Sequence, residues 1–239
     1  MAAGEFRARL DAVQDRIERA ARRAGRDPGA VTLVAASKTV PVERLVEAVA
    51  CGLRIFGENR VQEALAKMEA FARPPAQVEF HLIGPLQPNK VNHVVGRFAL
   101  LHAVDRLDVA ERLDRVARER GITQPVLLEV NVSGETTKHG FSSDELAGVA
   151  ERMGTWTGLR VGGLMTIPPL ADHPEEARPH FRRLRELAEQ VEVLRIPGIS
   201  MAELSMGMSG DFDVAIEEGA TMIRVGRALF GPRPVGPER

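Results

Sequence analysis

Short apolar runs alternate with amphipathic segments along most of the chain, which has 239 residues. Eight short runs have the pattern of strands, and the first of them, 31–38, is apolar and rich in β-branched residues, as in a parallel sheet that is covered on both faces. Each is followed by a segment whose apolar residues recur at spacings of three and four, the pattern of a helix with one buried face. The predicted strands are 31–38, 54–56, 78–83, 99–104, 126–132, 159–167, 202–206 and 221–225. The predicted helices are 5–24, before the first strand, and 42–51, 58–71, 89–96, 106–120, 143–153, 175–191, 211–218 and 227–230.

Eight strand–helix units in a chain of this length predict a closed (β/α)8 barrel. A doubly wound open sheet of this size usually has fewer strands. We therefore expect an α/β protein with a single TIM barrel over residues 1–231 and an extra helix at the N-terminus. The sequence contains no repeat, low-complexity tract or break in composition that would indicate a second domain. Residues 232–239 are rich in proline and glycine and are expected to form a disordered tail.

Charge and composition exclude several classes of function. A formal net charge of −1 and a pI near 6.6 give no basic footprint for nucleic acid, and no apolar run is long enough to cross a bilayer. The N-terminus lacks the pattern of a signal peptide, and the single cysteine, Cys51, cannot form an internal disulfide. The six histidines show no metal-ligand spacing with each other or with Cys51, so we expect no metal site. These features predict a cytoplasmic protein without nucleic-acid or membrane partners.

Lysine is rare in this chain, and one lysine ends the first predicted strand. Only four of the 32 Lys and Arg residues are lysines, and Lys38 directly follows an apolar run. Parallel barrels keep their chemistry at the carboxyl ends of their strands, so Lys38 is a candidate site residue; the alternative is a strand-terminal lysine that extends into solvent. Lys67 lies four residues after Glu63 and is expected to form an exposed helical pair. Lys90 and Lys138 lie in predicted loops, where both interpretations stay open.

A closed barrel would bring the last two strands beside Lys38. The loop 205–211 after the seventh strand and the residues after the eighth both lead into helices, whose first amides favour phosphate. Arg224 lies inside the apolar last strand, where a guanidinium needs a partner. That partner could be a carboxylate such as Glu129, but a lysine, an arginine and a phosphate site together match pyridoxal phosphate. The lysine would form a Schiff base, the loops would hold the phosphate, and Arg224 would face the pyridine nitrogen and disfavour its protonation.

Five blocks of sequence stand out along the chain. They are ASKT (36–39), FGENRVQE (56–63), FHLIGPLQPNK (80–90), LSMGMS (204–209) and RVG (224–226). In this order they resemble the pyridoxal phosphate homeostasis protein family, whose fold is similar to the N-terminal barrel domain of alanine racemase. The resemblance extends from the N-terminal helix to Gly231, nearly the whole chain. It implies a fold-type III barrel that binds pyridoxal 5'-phosphate (PLP).

The resemblance also implies which residues bind the cofactor. They are Lys38 on the aldehyde, Asn59 beside the ring, Ser209 on the phosphate, Arg224 at the pyridine nitrogen, and Gly226 and Arg227 with their backbone on the phosphate. Family members usually carry a small hydroxyl residue at position 227, so this chain loses one hydroxyl contact. The Arg227 guanidinium could replace it with a charge-assisted contact if it folds inward. His81 is interpreted as a structural histidine, with a role facing the barrel interior as the alternative, and Lys138 as either a lid or handover residue or a solvated loop lysine.

The implied function is a carrier and buffer of PLP in intracellular homeostasis, which holds the cofactor as a Schiff base on Lys38 without robust catalysis. Its expected partners are PLP and apo PLP-dependent enzymes, and a monomer is expected. The alternative is a PLP-dependent racemase acting on small amino acids. The alanine racemases that the chain resembles use a tyrosine on a second domain as the opposite-face base; this chain has no tyrosine, and we expect no such domain. His81, Lys138 or Lys38 alone would have to serve. A third interpretation, a phosphosugar enzyme, would be excluded by a visible absorbance band.

Overall fold

The structure is a computed structural model, and it describes residues 3–71, 77–135 and 138–232. Eight parallel strands form a closed barrel in which each strand pairs with its neighbours in the chain and the last pairs with the first. The strands are β1 (Thr32–Ala36), β2 (Ile55–Glu58), β3 (Glu79–Leu82), β4 (Leu100–Val104), β5 (Gln124–Glu129), β6 (Leu159–Met165), β7 (Ile199–Ser205) and β8 (Met222–Val225). The α-helices within the described ranges are α1 (Ala3–Arg23), α2 (Val42–Ala50), α3 (Val61–Ala70), α4 (Val91–Val94), α5 (Leu107–Glu119), α6 (Leu146–Met153), α7 (Arg178–Val193), α8 (Phe212–Glu217) and α9 (Arg227–Phe230). Short 3₁₀ turns lie at Pro28–Ala30, Pro88–Lys90 and Pro174–Ala177.

This architecture confirms the predicted α/β TIM barrel with its extra N-terminal helix. Every predicted strand and helix overlaps an observed one. Helix α1 packs against α2, α8 and α9, which flank the pairing of β8 with β1. Its buried stripe, which the spacing predicted, is Phe6, Leu10, Val13 and Ile17. The extra helix therefore covers the seam at which the two ends of the barrel meet.

Apolar side chains pack on both faces of the sheet. The larger core lies between the barrel and its helices. A separate small cluster comes from strands β4, β5, β6 and β8 and lies inside the barrel: Leu100, Ala103, Leu127, Met165 and Met222. Residues two apart along a strand point to the same face, so Glu129 and Arg224, two residues after Leu127 and Met222, also face inward. The barrel interior therefore contains both an apolar cluster and buried polar residues.

Several boundaries differ from the predictions because hydrogen bonds between distant strands set them. Strand β2 runs to Glu58, opposite Leu82, so the helix that was predicted from 58 begins only at Val61. Strand β1 ends at Ala36, which places Lys38 in the turn that follows it. Strand β7 begins at Ile199 rather than at 202. Local composition thus located each element but not its ends.

Two further expectations concern the ends of the chain and membranes. Among the described helices, none combines the length and the apolar character that crossing a bilayer requires. Residues 233–239 of the predicted tail lie outside the described ranges. The division into one domain over 1–231 and a tail over 232–239 therefore stays a prediction.

Candidate functional site

The carboxyl ends of four strands bring together most of the residues that the sequence singled out. Lys38 follows β1, Asn59 follows β2, and Ser209 lies in the loop after β7. Arg224 in β8 is opposite Val34 in β1. Because β1 pairs with both β2 and β8, these residues share one side of the barrel mouth.

Arg224 is buried, with 4% of its surface exposed, and its partners are neutral oxygens. Its Nη1 donates to Ser205 Oγ at 2.6 Å, and its Nη2 donates to the carbonyl oxygen of Thr166 at 2.9 Å. Burial lowers the pKa of Arg224 to about 10, against the attraction of Glu129 and Asp211, so the guanidinium stays charged at neutral pH. No ion pair joins Arg224 to Glu129 within the described residues, so the alternative of a salt-bridged arginine is not what the structure contains.

A chain of buried hydrogen bonds continues from Ser205 through the barrel interior. Ser205 Oγ lies 2.8 Å from His102 Nδ1, and His102 Nε2 lies 2.9 Å from His81 Nδ1. The guanidinium can only donate, so Ser205 Oγ accepts the hydrogen bond from Arg224. Burial lowers the pKa of His81 to about 4 and that of His102 well below its ordinary value. His81 thus faces the interior and is hydrogen bonded there, and both rings are neutral at physiological pH.

The loops after β7 and β8 converge at the start of α9. The backbone amides of Gly226 and Ala228 both donate to Ser209 Oγ, at 3.3 and 3.2 Å. Gly207 has a φ of 90°, and a Cβ there would lie 2.6 Å from Ala215 Cβ, so only glycine lets this loop fold so closely against α8. Two amides that point at one oxygen are a donor set that suits a phosphate oxygen.

Arg227 does not reach this position through its side chain. The residue is exposed, and the hydrogen bonds and ion pairs among the described residues include none from its guanidinium. Its backbone, between the amides of Gly226 and Ala228, is nevertheless part of the convergent loop. The inward-folded guanidinium considered from the sequence is therefore not the arrangement in this structure.

Asn59 is held in place by a glycine from the next strand–helix unit. A Cβ at Gly84 would lie 2.6 Å from the Asn59 carbonyl oxygen and 2.8 Å from its Cα. No other residue type fits at position 84 without moving one of the two backbones. This contact links two of the sequence blocks and fixes the backbone of Asn59 at the mouth of the barrel.

The prediction that Lys67 forms an exposed helical pair is wrong. The ion pair with Glu63 exists, at 2.7 Å, but Lys67 is only 5% exposed. Its ammonium also donates to Glu58 Oε1 and to the Ser37 carbonyl oxygen, each at 2.7 Å. The sequence held one signal of this burial, namely a lysine kept in a chain that otherwise uses arginine.

Acidic side chains lie on the side of the mouth away from Lys38. Glu129 and Asp105 are both buried, and His139 Nδ1 lies 3.2 Å from Asp105 Oδ2. Burial raises the pKa of Glu129 to about 7; the charge of Asp105 acts in the same direction, and Arg224 and His139 act against it. Lys138 lies 3.5 Å from Glu135 within their shared loop. Within the described ranges no cluster of three or more His, Cys, Asp or Glu side chains could hold a metal ion.

Comparison with known proteins shows which family this chain belongs to. The family model described as the alanine racemase N-terminal domain matches residues 8–234. A pyridoxal phosphate homeostasis protein from Aquifex aeolicus is 47% identical over 225 residues, which cover 94% of this chain and 97% of the relative. The chain belongs to the pyridoxal phosphate homeostasis protein family. Its barrel carries the five sequence blocks by which it resembled that family.

Solved structures of relatives have the same fold. PipY of Synechococcus elongatus, solved with PLP bound, is 36% identical to this chain with a TM-score of 0.82. The match covers 95% of this chain and 100% of PipY. Alanine racemase from Clostridium difficile has a TM-score of 0.74 at 14% identity, with 96% of this chain covering 57% of that chain. The second likeness shows the barrel fold alone.

Proposed function

We propose that this protein binds PLP and acts as its carrier and buffer in the cytoplasm. The observation that carries the proposal is the convergence of two backbone amides on one oxygen, Ser209 Oγ, at the end of the strand that contains Arg224. A phosphate oxygen accepts the same donors, and Lys38 follows the strand that pairs with β8. The PLP bound to PipY, a relative 36% identical to this chain, supports the same assignment.

Three residues would contact the ring end of the cofactor. When bound, PLP supplies a reactive aldehyde and an electron-accepting ring. Lys38 Nζ would bond the aldehyde carbon with release of one water, and Asn59 would lie beside the ring. Arg224 would donate to the pyridine nitrogen and, as a fixed cation, keep that nitrogen unprotonated.

The phosphate end would be held mainly by the backbone. The amides of Gly226 and Ala228 would donate to a phosphate oxygen, and the Ser209 hydroxyl would turn to contact the same group. We assign Arg227 a backbone role, because its exposed guanidinium makes no contact with the described part of this loop. A cradle of neutral donors at a helix start can hold a dianion without a basic pocket.

The carrier function has more support than the racemase alternative. An unprotonated pyridine nitrogen makes the ring a weak electron sink, and the chain has no tyrosine to act as a second base. His81 is a poor substitute, because His102 and Ser205 separate it from Arg224. Without a second base the site would hold an aldehyde and release it by hydrolysis or by exchange with another amine. We propose that the protein is a monomer and that apo PLP-dependent enzymes receive the cofactor.

The first experiment identifies the lysine that binds PLP. The visible spectrum of the loaded protein would be recorded before and after borohydride reduction, followed by mass analysis of the labelled peptide. We expect a visible band that borohydride removes and a label on Lys38. Lys38→Ala should lose the band, whereas the matched variant Lys90→Ala should keep it. A label on Lys90 or Lys138 would contradict the proposal, and a protein without any band would support a phosphosugar enzyme.

The second experiment separates carrier from racemase. Loaded protein would be incubated with L- and D-alanine and, separately, with an apo PLP-dependent enzyme whose activity reports transfer. We expect transfer of cofactor and racemisation far below ordinary enzymatic rates. Racemisation at about 1 per second or faster would overturn the carrier function in favour of the alternative.

A further inference from the structure

A second lysine, Lys67, lies behind the turn that contains Lys38. Its ammonium has three donors, and three oxygens accept them at 2.7 Å: the Ser37 carbonyl, Glu58 Oε1 and Glu63 Oε1. Glu58 is fully buried and Lys67 is 5% exposed. We call Ser37, Glu58, Glu63 and Lys67 the Lys67 cluster. Each of the three ammonium hydrogens has an acceptor in the protein, which is unusual for a lysine on a helix surface.

The Lys67 cluster contacts the chain on both sides of Lys38. On the preceding side, Ser37 donates its hydroxyl to Glu58 Oε1 at 2.5 Å and offers its carbonyl to Lys67. On the following side, the Thr39 amide donates to Glu63 Oε1 at 2.6 Å. One ammonium thus joins, directly or through one carboxylate, the residue before and the residue after the proposed cofactor lysine.

The turn needs this support because its backbone is strained. Thr39 has a φ of 63°, a left-handed conformation that is unfavourable for a β-branched residue. Its hydroxyl donates to the Lys38 carbonyl oxygen at 2.6 Å, and its amide is the group held by Glu63. A strained residue keeps its conformation only when the surrounding contacts fix it. Loss of these contacts would let the turn relax and would move the base of the Lys38 side chain.

Electrostatics make the cation in the cluster necessary. Burial raises the pKa of Glu58, and hydrogen bonds from Lys67 and Ser37 only partly offset it. Burial acts in the same direction on Glu63, but hydrogen bonds from Lys67 and from the Thr39 amide outweigh it and hold the pKa of Glu63 below its ordinary value. Without Lys67, the buried Glu58 carboxylate would lose its ion-pair partner and Glu63 would keep only the charge of Arg60, so one of the two carboxylates would take up a proton or turn away. Loss of Lys67 would itself remove the bond to the Ser37 carbonyl oxygen, and a carboxylate that turned away would remove a second contact to the turn.

We propose that Lys67 is a positioning residue for Lys38, fixing the turn so that the Lys38 amine meets the cofactor aldehyde. This rests on the proposed function, in which Lys38 forms the bond. Lys67 itself would touch neither cofactor nor reacting atoms. Positions that are held through a partner can matter strongly for bond formation, because a displacement of about 1 Å can slow a reaction about 100-fold.

The test compares two ligands that differ only at the aldehyde. One is PLP, and the other is pyridoxine 5'-phosphate, which has an alcohol in place of the aldehyde and cannot bond Lys38. For Lys67→Met we expect the affinity for PLP and the rate of its capture to fall about tenfold or more. The affinity for the alcohol should stay within about twofold, since the phosphate cradle lies on β7 and β8. Fluorescence titration and stopped-flow absorbance measure these quantities.

Arg26→Met is the matched control. Arg26 also donates to backbone carbonyls, those of Ile216 and Ala220, at 2.7 and 2.9 Å, but it does not contact the turn. The Arg26→Met substitution should lower thermal stability without changing the ratio of the affinity for PLP to the affinity for pyridoxine 5'-phosphate. If Lys67→Met is too unstable to purify, Glu63→Gln provides the same test, because the 26% exposed Glu63 side chain is less critical to the fold. The amide keeps an acceptor for Thr39 but loses the charge, so PLP affinity should fall by a smaller factor.

The outcomes separate this inference from the proposed function. A wild-type protein that captures PLP on a residue other than Lys38 refutes the function, and the inference with it. Wild-type capture on Lys38 with an unchanged affinity ratio in Lys67→Met refutes the inference alone. Parallel loss of affinity for both ligands also refutes it, since that result means a general structural role.

Discussion

Replacement of Glu129 by glutamine should change how the stability of the protein depends on pH. Glu129 is 6% exposed, and its pKa is raised from the ordinary value of 4.5 to about 7. Between these values the folded protein keeps a proton on Glu129 that the unfolded chain has released. The free energy of unfolding therefore falls as pH rises through this window, by about 1.4 kcal/mol per pH unit and about 3 kcal/mol in total. Glutamine does not titrate, so the variant should escape this loss.

The assay is urea unfolding of the cofactor-free protein and the variant from pH 4.5 to 8. The quantity to plot is the difference in free energy of unfolding, variant minus wild type, because groups common to both proteins cancel. That difference should rise by about 3 kcal/mol across the range. His81 acts in the opposite sense, since its pKa is lowered to about 4 and its contribution is lost as pH falls below about 6.5. The free energy of unfolding of the wild type should thus vary less with pH than either group alone would make it vary. A difference between variant and wild type that stays constant with pH would refute the raised pKa of Glu129.

Two further predictions concern the cofactor contacts themselves. Arg224→Gln should shift the visible absorbance of the loaded protein, because the pyridine nitrogen would lose its cationic neighbour, and should lower thermal stability through loss of the charge-assisted bond to Ser205; an unchanged spectrum would mean that Arg224 points elsewhere. Ser209→Ala should weaken PLP binding about tenfold, the effect of losing one hydrogen bond to a charged group, while Ser200→Ala, an exposed serine at the start of β7, should not; equal affinities in a spectral titration would remove Ser209 from the phosphate site.

Much of the fold was predictable because the information was local. Apolar runs and helical spacing placed every strand and helix, and their number predicted a closed barrel. Because parallel barrels keep their chemistry at the carboxyl ends of their strands, Lys38 and the loops after β7 and β8 were then the candidate site residues. Once the barrel was assumed to close, the pairing of β8 with β1 followed, and with it the proximity of Arg224 to β1. The order of the strands was therefore enough to predict which polar residues meet at the carboxyl ends, and no knowledge of side-chain contacts was required.

The residues that sequence analysis missed depend on contacts between distant parts of the chain. A glutamate and a lysine four apart look the same whether they are exposed or buried, so the spacing of Glu63 and Lys67 gave no sign of their surroundings, and the rarity of lysine in this chain was the one signal of burial. Lys67 is buried because β2 continues to Glu58, and strand ends are set by pairing with β3. His102 lies 103 residues from Ser205 along the chain, and only closure of the barrel brings them within 2.8 Å.

On the proposed function, the charge state of the barrel interior decides what the site does with its cofactor. The two hydrogen-bond acceptors of Arg224 are neutral. Of the two carboxylates that attract it, Glu129 acts more strongly than Asp211, and burial raises the pKa of Glu129 to about 7. His102 and His81 are neutral as well. The guanidinium forms no ion pair within the described residues and can donate to the pyridine nitrogen, which accepts its hydrogen bond only while unprotonated. A ring in that state withdraws electrons weakly, so the contact that would hold the cofactor is also the contact that would keep its chemistry slow.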